Sequence, residues 1–157
     1  MTEHRDVALV TGGARRIGRA IVSRLAAAGY DIVIHCNASV DEAERLAEAI
    51  RANGGKPVVV AADLADAGSV AGLGETAGAF FGPVTLLVNN ASTFLADDVM
   101  ALDPVLWDRQ FAVNLRAPAV LAGAMAKALP EERTGAIVNL IDQRVWKLSP
   151  EHFSYTL

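Results

Sequence analysis

The sequence predicts an α/β fold, a doubly wound parallel sheet in a three-layer αβα arrangement whose C-terminal side is incomplete. Three observations predict it. Short apolar runs alternate with longer segments of helical period, as in consecutive βαβ units. The first apolar run leads straight into a glycine-containing turn that opens a helix. The 157 residues are 52% hydrophobic and 20% charged, which suits one packed domain and is too apolar for disorder.

Val7–Val10 reads as a buried strand. Ile17, Ala20, Ile21, Leu25 and Ala28 then recur at helical spacing, and Gly29 closes that helix. Asp31–His35 is the second strand. Ser39 with Glu42 three residues on reads as a capping box, followed by the stripe Ala43, Leu46, Ala47 and Ile50 and the stop Asn53-Gly54-Gly55. Pro57–Ala61 is the third strand. Asp63–Phe81 carries a weaker helix signal, since Gly68, Gly72, Gly74 and Gly78 each cost up to about 1 kcal/mol against alanine. Val70, Leu73, Ala77 and Phe80 mark its face. Thr85–Val88 is the fourth strand, followed by Asn89-Asn90-Ala91-Ser92. Asp103-Pro104 supplies N-cap and N1 of a helix that runs to about Leu129, with a break near Pro118. Gly135–Ile141 is the fifth strand. Leu157 falls inside the start of a further helix with no cap, so residues 1–157 are expected to be the N-terminal part of a longer protein.

The net charge of -4 argues against a nucleic-acid or anionic-membrane surface, both of which need clustered positive charge. A single cysteine, Cys36, excludes an intrachain disulfide framework and a multi-cysteine zinc site, and is most simply a small apolar filler. No secretory signal or 18-residue apolar span precedes the first strand, and the chain reads as cytoplasmic. His4, His35 and His152 have no ligand spacing, so no metal site is expected.

The turn Thr11-Gly12-Gly13-Ala14-Arg15-Arg16-Ile17-Gly18 stands where a Rossmann-type sheet binds a dinucleotide. Gly12 permits the tight turn, Gly18 allows the helix to pack on the sheet, and the exposed N–H groups favour a pyrophosphate. Glycines serve such a turn without any ligand as well. Arg15 and Arg16 at a helix N-terminus are electrostatically disfavoured unless an anion joins them. His35-Cys36-Asn37 at the tip of the second strand contains no acid, whereas NAD selection needs one there for the ribose 2′-hydroxyl. Two arginines, with Asn37 and Ser39 as donors, therefore favour NADP(H). Ser39 can serve as N-cap and phosphate donor at once.

Thr11-Gly12…Gly18, Asp63, Asn89-Asn90-Ala91, Asn114 and Tyr155 together resemble the short-chain dehydrogenase/reductase family, over essentially the whole chain. The resemblance implies that Asp63 and Leu64 flank the adenine and that Asn90, Ala91 and Ser92 line the cofactor, beside Ile17 and His35. It further implies that Asn114 supports a proton-relay water and Tyr155 is the general acid/base. Two departures narrow it. Arg16 stands where the family's middle glycine is expected, and Asp142 stands where the usual serine lies, 13 residues before the tyrosine. With Asn90-Ala91-Ser92-Thr93-Phe94, both look like the pteridine reductase and dihydromonapterin reductase branch. In that branch the arginine touches cofactor phosphate and pterin, the phenylalanine stacks on the pterin ring, and the aspartate acts with the tyrosine. A phosphate-binding arginine that some members carry after the second strand is Ala38 here.

The expected activity is NADPH-dependent reduction of a C=N or C=O bond, with a dihydropterin as preferred substrate. Asp142, Tyr155 and Asn114 are the candidate catalytic residues, and Arg16, Ser92 and Phe94 hold the substrate. A free phenol titrates near 10, and the family lowers it with a lysine four residues beyond the tyrosine, past Leu157; the chain alone is therefore expected to be a poor catalyst. Plainer readings exist: Asp142 as an Asx turn, Tyr155 as a half-buried helix tyrosine, Phe94 as core cover, and Arg144 and Trp146 as either pocket rim or surface. Rival functions are a carbonyl or 3-oxoacyl reductase, a non-catalytic nucleotide-binding scaffold, and a fragment that assembles with a separate C-terminal piece. The family commonly forms homotetramers or dimers.

Overall fold

The structure is a computed structural model and describes residues 5–157. His4, counted above among histidines without metal spacing, lies outside the described residues. β1 (Val7–Val10), β2 (Asp31–Cys36), β3 (Pro57–Ala61), β4 (Leu86–Asn89) and β5 (Ala136–Asn139) form one sheet in the order β3-β2-β1-β4-β5. Every pairing is parallel. α1 (Arg16–Ala27), α2 (Val40–Ala52), α3 (Ala67–Phe81), α4 (Pro104–Phe111), α5 (Ala117–Ala128) and the short α6 (Phe153–Thr156) connect and follow the strands.

The central strands are apolar along their length because helices cover both faces. Val7, Leu9, Val33 and Leu87 pack with Val70, Leu73 and Ala77 of α3 and Ala117, Leu121 and Met125 of α5. The alternate residues Ala8, Val10, Ile32, Ile34 and Val88 pack with Val22 of α1 and Ala43, Leu46, Ala47 and Ile50 of α2. Each large aliphatic side chain removed from water contributes about 1.5–3 kcal/mol, so the sheet and its two helical layers stabilise one another. β5 differs: all four residues are exposed, as befits an edge strand.

Several local expectations are corrected by packing. The buried residues of α1 are Gly18 and Val22, whereas Ile17, Ala20 and Ala28 face outward. Ile17 is freed to line a cavity at the strand ends. No capping box forms at Ser39, whose side chain caps nothing; its hydroxyl instead accepts from the Arg15 guanidinium at 3.4 Å. α3 begins at Ala67, where the Asp66 carboxylate accepts from Ser69 N–H at 2.6 Å, and Phe80 is exposed while Phe81 packs on the core. β2 extends one residue past His35, and β5 is shorter than Gly135–Ile141. The break in the long helix is a π turn over Ala112–Arg116, in which Ala117 N–H reaches back to Ala112 O. Proline at 118 has no N–H for the Asn114 carbonyl, so the ladder slips one residue at that point.

The chain order reverses between β1 and β4. At such a switch point the connections leave in opposite directions and open a crevice beyond the carboxyl ends of the strands. The turn after β1 and the segment after β4 both end there.

Candidate active site

Thr11 ties the two segments together. Its buried hydroxyl accepts from Asn90 N–H and Ala91 N–H, each at 3.0 Å. The Asn90 amide donates back to Thr11 O at 2.9 Å and Gly12 O at 3.1 Å. Gly12 takes φ +62, which a side chain would strain. His35 closes the arrangement from β2. Its Nδ1 accepts from Gly12 N–H at 3.1 Å, so Nε2 carries the proton and donates to Ala62 O at 3.0 Å. Burial pushes the His35 imidazole below its ordinary value, the Ala62 bond opposing, so the neutral form that this geometry requires is the stable one. His35 lines the cavity, but with both ring nitrogens engaged it holds the turn and offers no ring nitrogen to a ligand.

The N-terminus of α1 could hold an anion. Its first turn contains no acid and its N-cap, Arg15, makes no side-chain cap, so several N–H groups stay open. Arg16 is the one non-glycine residue with positive φ (+49) among the described residues. An arginine there costs about 1–2 kcal/mol against a glycine, and strain of this kind gathers at binding sites. Arg16→Gly is accordingly expected to raise unfolding stability by about 1 kcal/mol. It should also weaken binding of a phosphorylated nucleotide by about 1.5–3 kcal/mol, the worth of a charge-assisted hydrogen bond. Thermal denaturation and a nucleotide titration check the two halves separately. Arg15 reaches over the start of α2, 3.8 Å from Glu42 and exposed enough to exchange that partner for a phosphate.

A cavity of about 660 Å³ lies at the strand ends. It brings together Gly12, Arg15, Arg16, Ile17, Gly18, His35, Asn37, Asp63, Leu64, Asn90, Ala91 and Ser92 with Phe94, Asp142 and Tyr155. Ser39 does not line it and touches it only through Arg15. Asp63 pairs with Arg109 at 3.6 Å, and Leu64 beside it is buried. Asn114 lines an adjoining cavity of about 460 Å³ that shares Asp142 and Tyr155. Its amide accepts from Thr93 N–H and donates to Thr93 O, both at 2.9 Å, holding the loop that leads to Phe94.

The Tyr155 hydroxyl donates to Asp142 Oδ2 at 3.2 Å. Asp142 Oδ1 accepts from Arg144 N–H at 3.0 Å, so this carboxylate forms an Asx turn and faces the phenol at the same time. Burial pushes the Tyr155 phenol above its ordinary value; Ser92 opposes this and the Asp142 charge adds to it. Phe94 is about half exposed and does more than cover the core. It meets Tyr155 edge-on at 4.7 Å, stacks on His152 at 3.9 Å, and has the Arg144 guanidinium 4.8 Å from its ring centre. Arg144 lines the second cavity, whereas Trp146 is 90% exposed and lines neither.

Periodicity does not single out Thr11, since threonine after a strand is unremarkable. Gln110 had a legible signal: it occupies the buried stripe continued by Val113, Ala117 and Leu121, and is itself 1% exposed. Cys36 is a buried filler. Among the described residues no group of three or more His, Cys, Asp or Glu could hold a metal, and no helix is long and apolar enough to cross a membrane.

Residues 6–155 match the short chain dehydrogenase family. The 3-oxoacyl-(acyl-carrier-protein) reductase FabG of Staphylococcus aureus is 35% identical over 136 residues, 85% of this chain and 54% of that protein. D-threitol dehydrogenase of Mycolicibacterium smegmatis is 34% identical over 149 residues, 95% of this chain and 57% of that protein. The chain thus spans little more than half the length of these curated relatives. Among solved structures, FolM alternative dihydrofolate reductase 1 of Brucella suis in complex with NADP superposes with a TM-score of 0.92 at 56% identity, covering 96% of this chain and 63% of that one. A blue fluorescent protein from a metagenomic library in complex with NADPH gives 0.90 at 35% identity, covering 96% and 62%.

Proposed function

The chain belongs to the short-chain dehydrogenase family, and from that premise we propose that it is the N-terminal part of an NADPH-dependent reductase of a dihydropterin. The observation that carries this reading is the meeting of Asp142 and Tyr155 in one cavity with Arg16 and Phe94. The 56% identity to a structure named alternative dihydrofolate reductase supports the choice of a pterin-type heterocycle.

The residues present fit the cofactor. The open α1 N-terminus and the left-handed Arg16 suit a pyrophosphate, Arg15 beside Ser39 and Asn37 suit a ribose 2′-phosphate, and Asp63 and Leu64 border the adenine end. NADPH, when bound, supplies the hydride. The remaining chemistry belongs to the chain. Phe94 and Arg16, with Ser92, hold a flat heterocycle against the site. Tyr155 gives its phenolic proton to the nitrogen that becomes basic as the bond is reduced. Asp142 accepts the phenol's hydrogen bond, which orients it, and its charge helps the phenol retain its proton until that moment. Asn114 holds the Phe94 loop and stands in the adjoining cavity, where its expected support of a relay water belongs.

Curated relatives named 3-oxoacyl reductases favour a second reading, a carbonyl or 3-oxoacyl-thioester reductase. The full-length protein separates the two when 7,8-dihydropterin and an acetoacetyl thioester are assayed side by side. Pterin turnover with NADPH, and tighter fluorescence-titrated binding of NADPH than of NADH, are the expected results. Absence of pterin turnover defeats the substrate, and tighter NADH defeats the cofactor. The enzyme is further proposed to act as a cytoplasmic homo-oligomer, whose copies would cover exposed apolar residues such as Val105 on α4, Leu115 in the π turn and Val120 on α5.

A further inference from the structure

The loop that carries Phe94 and the segment that carries Tyr155 are far apart in sequence, yet backbone and carboxylate hydrogen bonds at Asp97 fasten them to one another. Asp97 N–H donates to Glu151 O at 3.1 Å, and Asp97 O accepts from Phe153 N–H at 3.4 Å. Its carboxylate accepts from Ser154 N–H with both oxygens at 3.1 Å. A third element holds the pair from beneath. The Gln110 side chain on α4 accepts from Leu95 N–H at 3.2 Å and donates to Leu95 O at 3.3 Å. The same amide donates to Ser154 Oγ at 2.6 Å.

Gln110 is 1% exposed and Ser154 5% exposed. A buried amide on the apolar stripe of a helix is unfavourable unless its hydrogen bonds are made. Here each end of the amide has a partner, and such completed networks fix geometry more tightly than apolar packing does. The partners are backbone and hydroxyl groups one residue from Phe94 and one residue from Tyr155. Moving either segment away breaks bonds that Gln110 makes in the core. The stack of His152 on Phe94, 3.9 Å apart and 5° from parallel, spans the same junction.

We infer that Asp97, Gln110 and Ser154 are positioning residues that set the Tyr155 hydroxyl and the Phe94 ring at a fixed mutual distance, so that the acid meets a substrate held beside Phe94. The inference rests on the proposed role of Tyr155. Neither Asp97 nor Gln110 lines the cavity that joins Arg16, Phe94, Asp142 and Tyr155, and both act through the two segments they join. Displacement of an acid by about 1 Å can slow a reaction about 100-fold, so small shifts at this junction have a large readout.

The test uses the full-length enzyme with NADPH and a dihydropterin, and compares Asp97→Ala, Asp97→Asn and Gln110→Leu with Tyr155→Phe. Asp97→Ala and Gln110→Leu are expected to lower kcat about 10- to 100-fold and raise KM for the heterocycle, with the NADPH dissociation constant unchanged. Their alkaline pH limb should shift, because the phenol no longer sits against Asp142. Asp97→Asn keeps an acceptor for Ser154 N–H and should restore most of the rate and the parent pH limb. If Asp97→Ala and Gln110→Leu bind NADPH normally and turn over at the parent rate with an unshifted limb, the inference is overturned. It is equally overturned if Asp97→Asn is as slow as alanine. Where either variant fails to bind NADPH, Ser154→Ala removes a single hydroxyl and decides by the same two readouts. Tyr155→Phe distinguishes the failures: retained activity there defeats the acid assignment, whereas its loss beside an unaffected Asp97→Ala defeats only the positioning role.

Discussion

Replacing Tyr155 with phenylalanine is expected to slow turnover of the full-length enzyme about 10²- to 10⁴-fold, the usual contribution of a placed general acid. The substitution deletes one oxygen and keeps the ring that meets Phe94 edge-on at 4.7 Å. The bond lost, to Asp142 at 3.2 Å, is partly open to solvent at the cavity rim. Stability should therefore change by less than about 1 kcal/mol and NADPH binding should persist. The pH dependence has a definite sign. The phenol is raised above its ordinary value, first by burial and further by the Asp142 charge. The lysine that the family places four residues beyond the tyrosine opposes this rise in the full-length enzyme, so the rate holds while the phenol keeps its proton and falls above the value these opposing charges set. Asp142→Asn removes part of the rise, so the alkaline limb of kcat should move to lower pH while kcat itself declines. A limb that stays in place after Asp142→Asn, or a Tyr155→Phe enzyme of parent activity, would assign the proton to another group.

Gly18→Ala is expected to be the most damaging single-methyl addition among the glycines of the turn. A Cβ there would overlap Gly12 O and lie 2.6 Å from Asn90 Nδ2. The first neighbour is backbone and cannot rotate aside. Relief requires the turn to lift away from α1, which breaks the Asn90 bonds to Thr11 O and Gly12 O. Overpacking together with two lost hydrogen bonds amounts to about 3 kcal/mol or more. NADPH binding should be lost, since the same turn presents the N–H groups of α1. Gly72→Ala is the control: it lies within α3, a Cβ there meets nothing within 4 Å, and helix propensity gains up to about 1 kcal/mol. Chemical denaturation of both variants checks the contrast. Equal stabilities would show that the turn is slack.

Which residues were legible follows from how far their roles depend on neighbours in sequence. The strands β1 to β4, the Asp103-Pro104 start of α4 and the stop after α2 could be read because each follows from local period, capping and turn chemistry. The face of α1 could not. Ile17 satisfies a helical period as well as Val22 does, and only docking on the sheet decides that Gly18 and Val22 go inside while Ile17 faces the cavity. Ser39 likewise has the sequence of a capping box, but its hydroxyl has a competing donor in Arg15, which is distant in sequence.

The amino-acid sequence by itself determined the parallel sheet and the glycine turn after β1, because both rest on residue types at short separations, while Asp142 and Tyr155 were singled out only through the family resemblance. Tertiary structure alone decided that Asp142 is at once an Asx turn and the partner of Tyr155, and that His35 staples the turn through Gly12 and Ala62. It alone decided, too, that Gln110 and Asp97 join the loop of Phe94 to the segment of Tyr155. Hydrogen bonds and burial of this kind exist only once distant segments share a low-dielectric site, where an unpaired polar group costs free energy and a paired one fixes position.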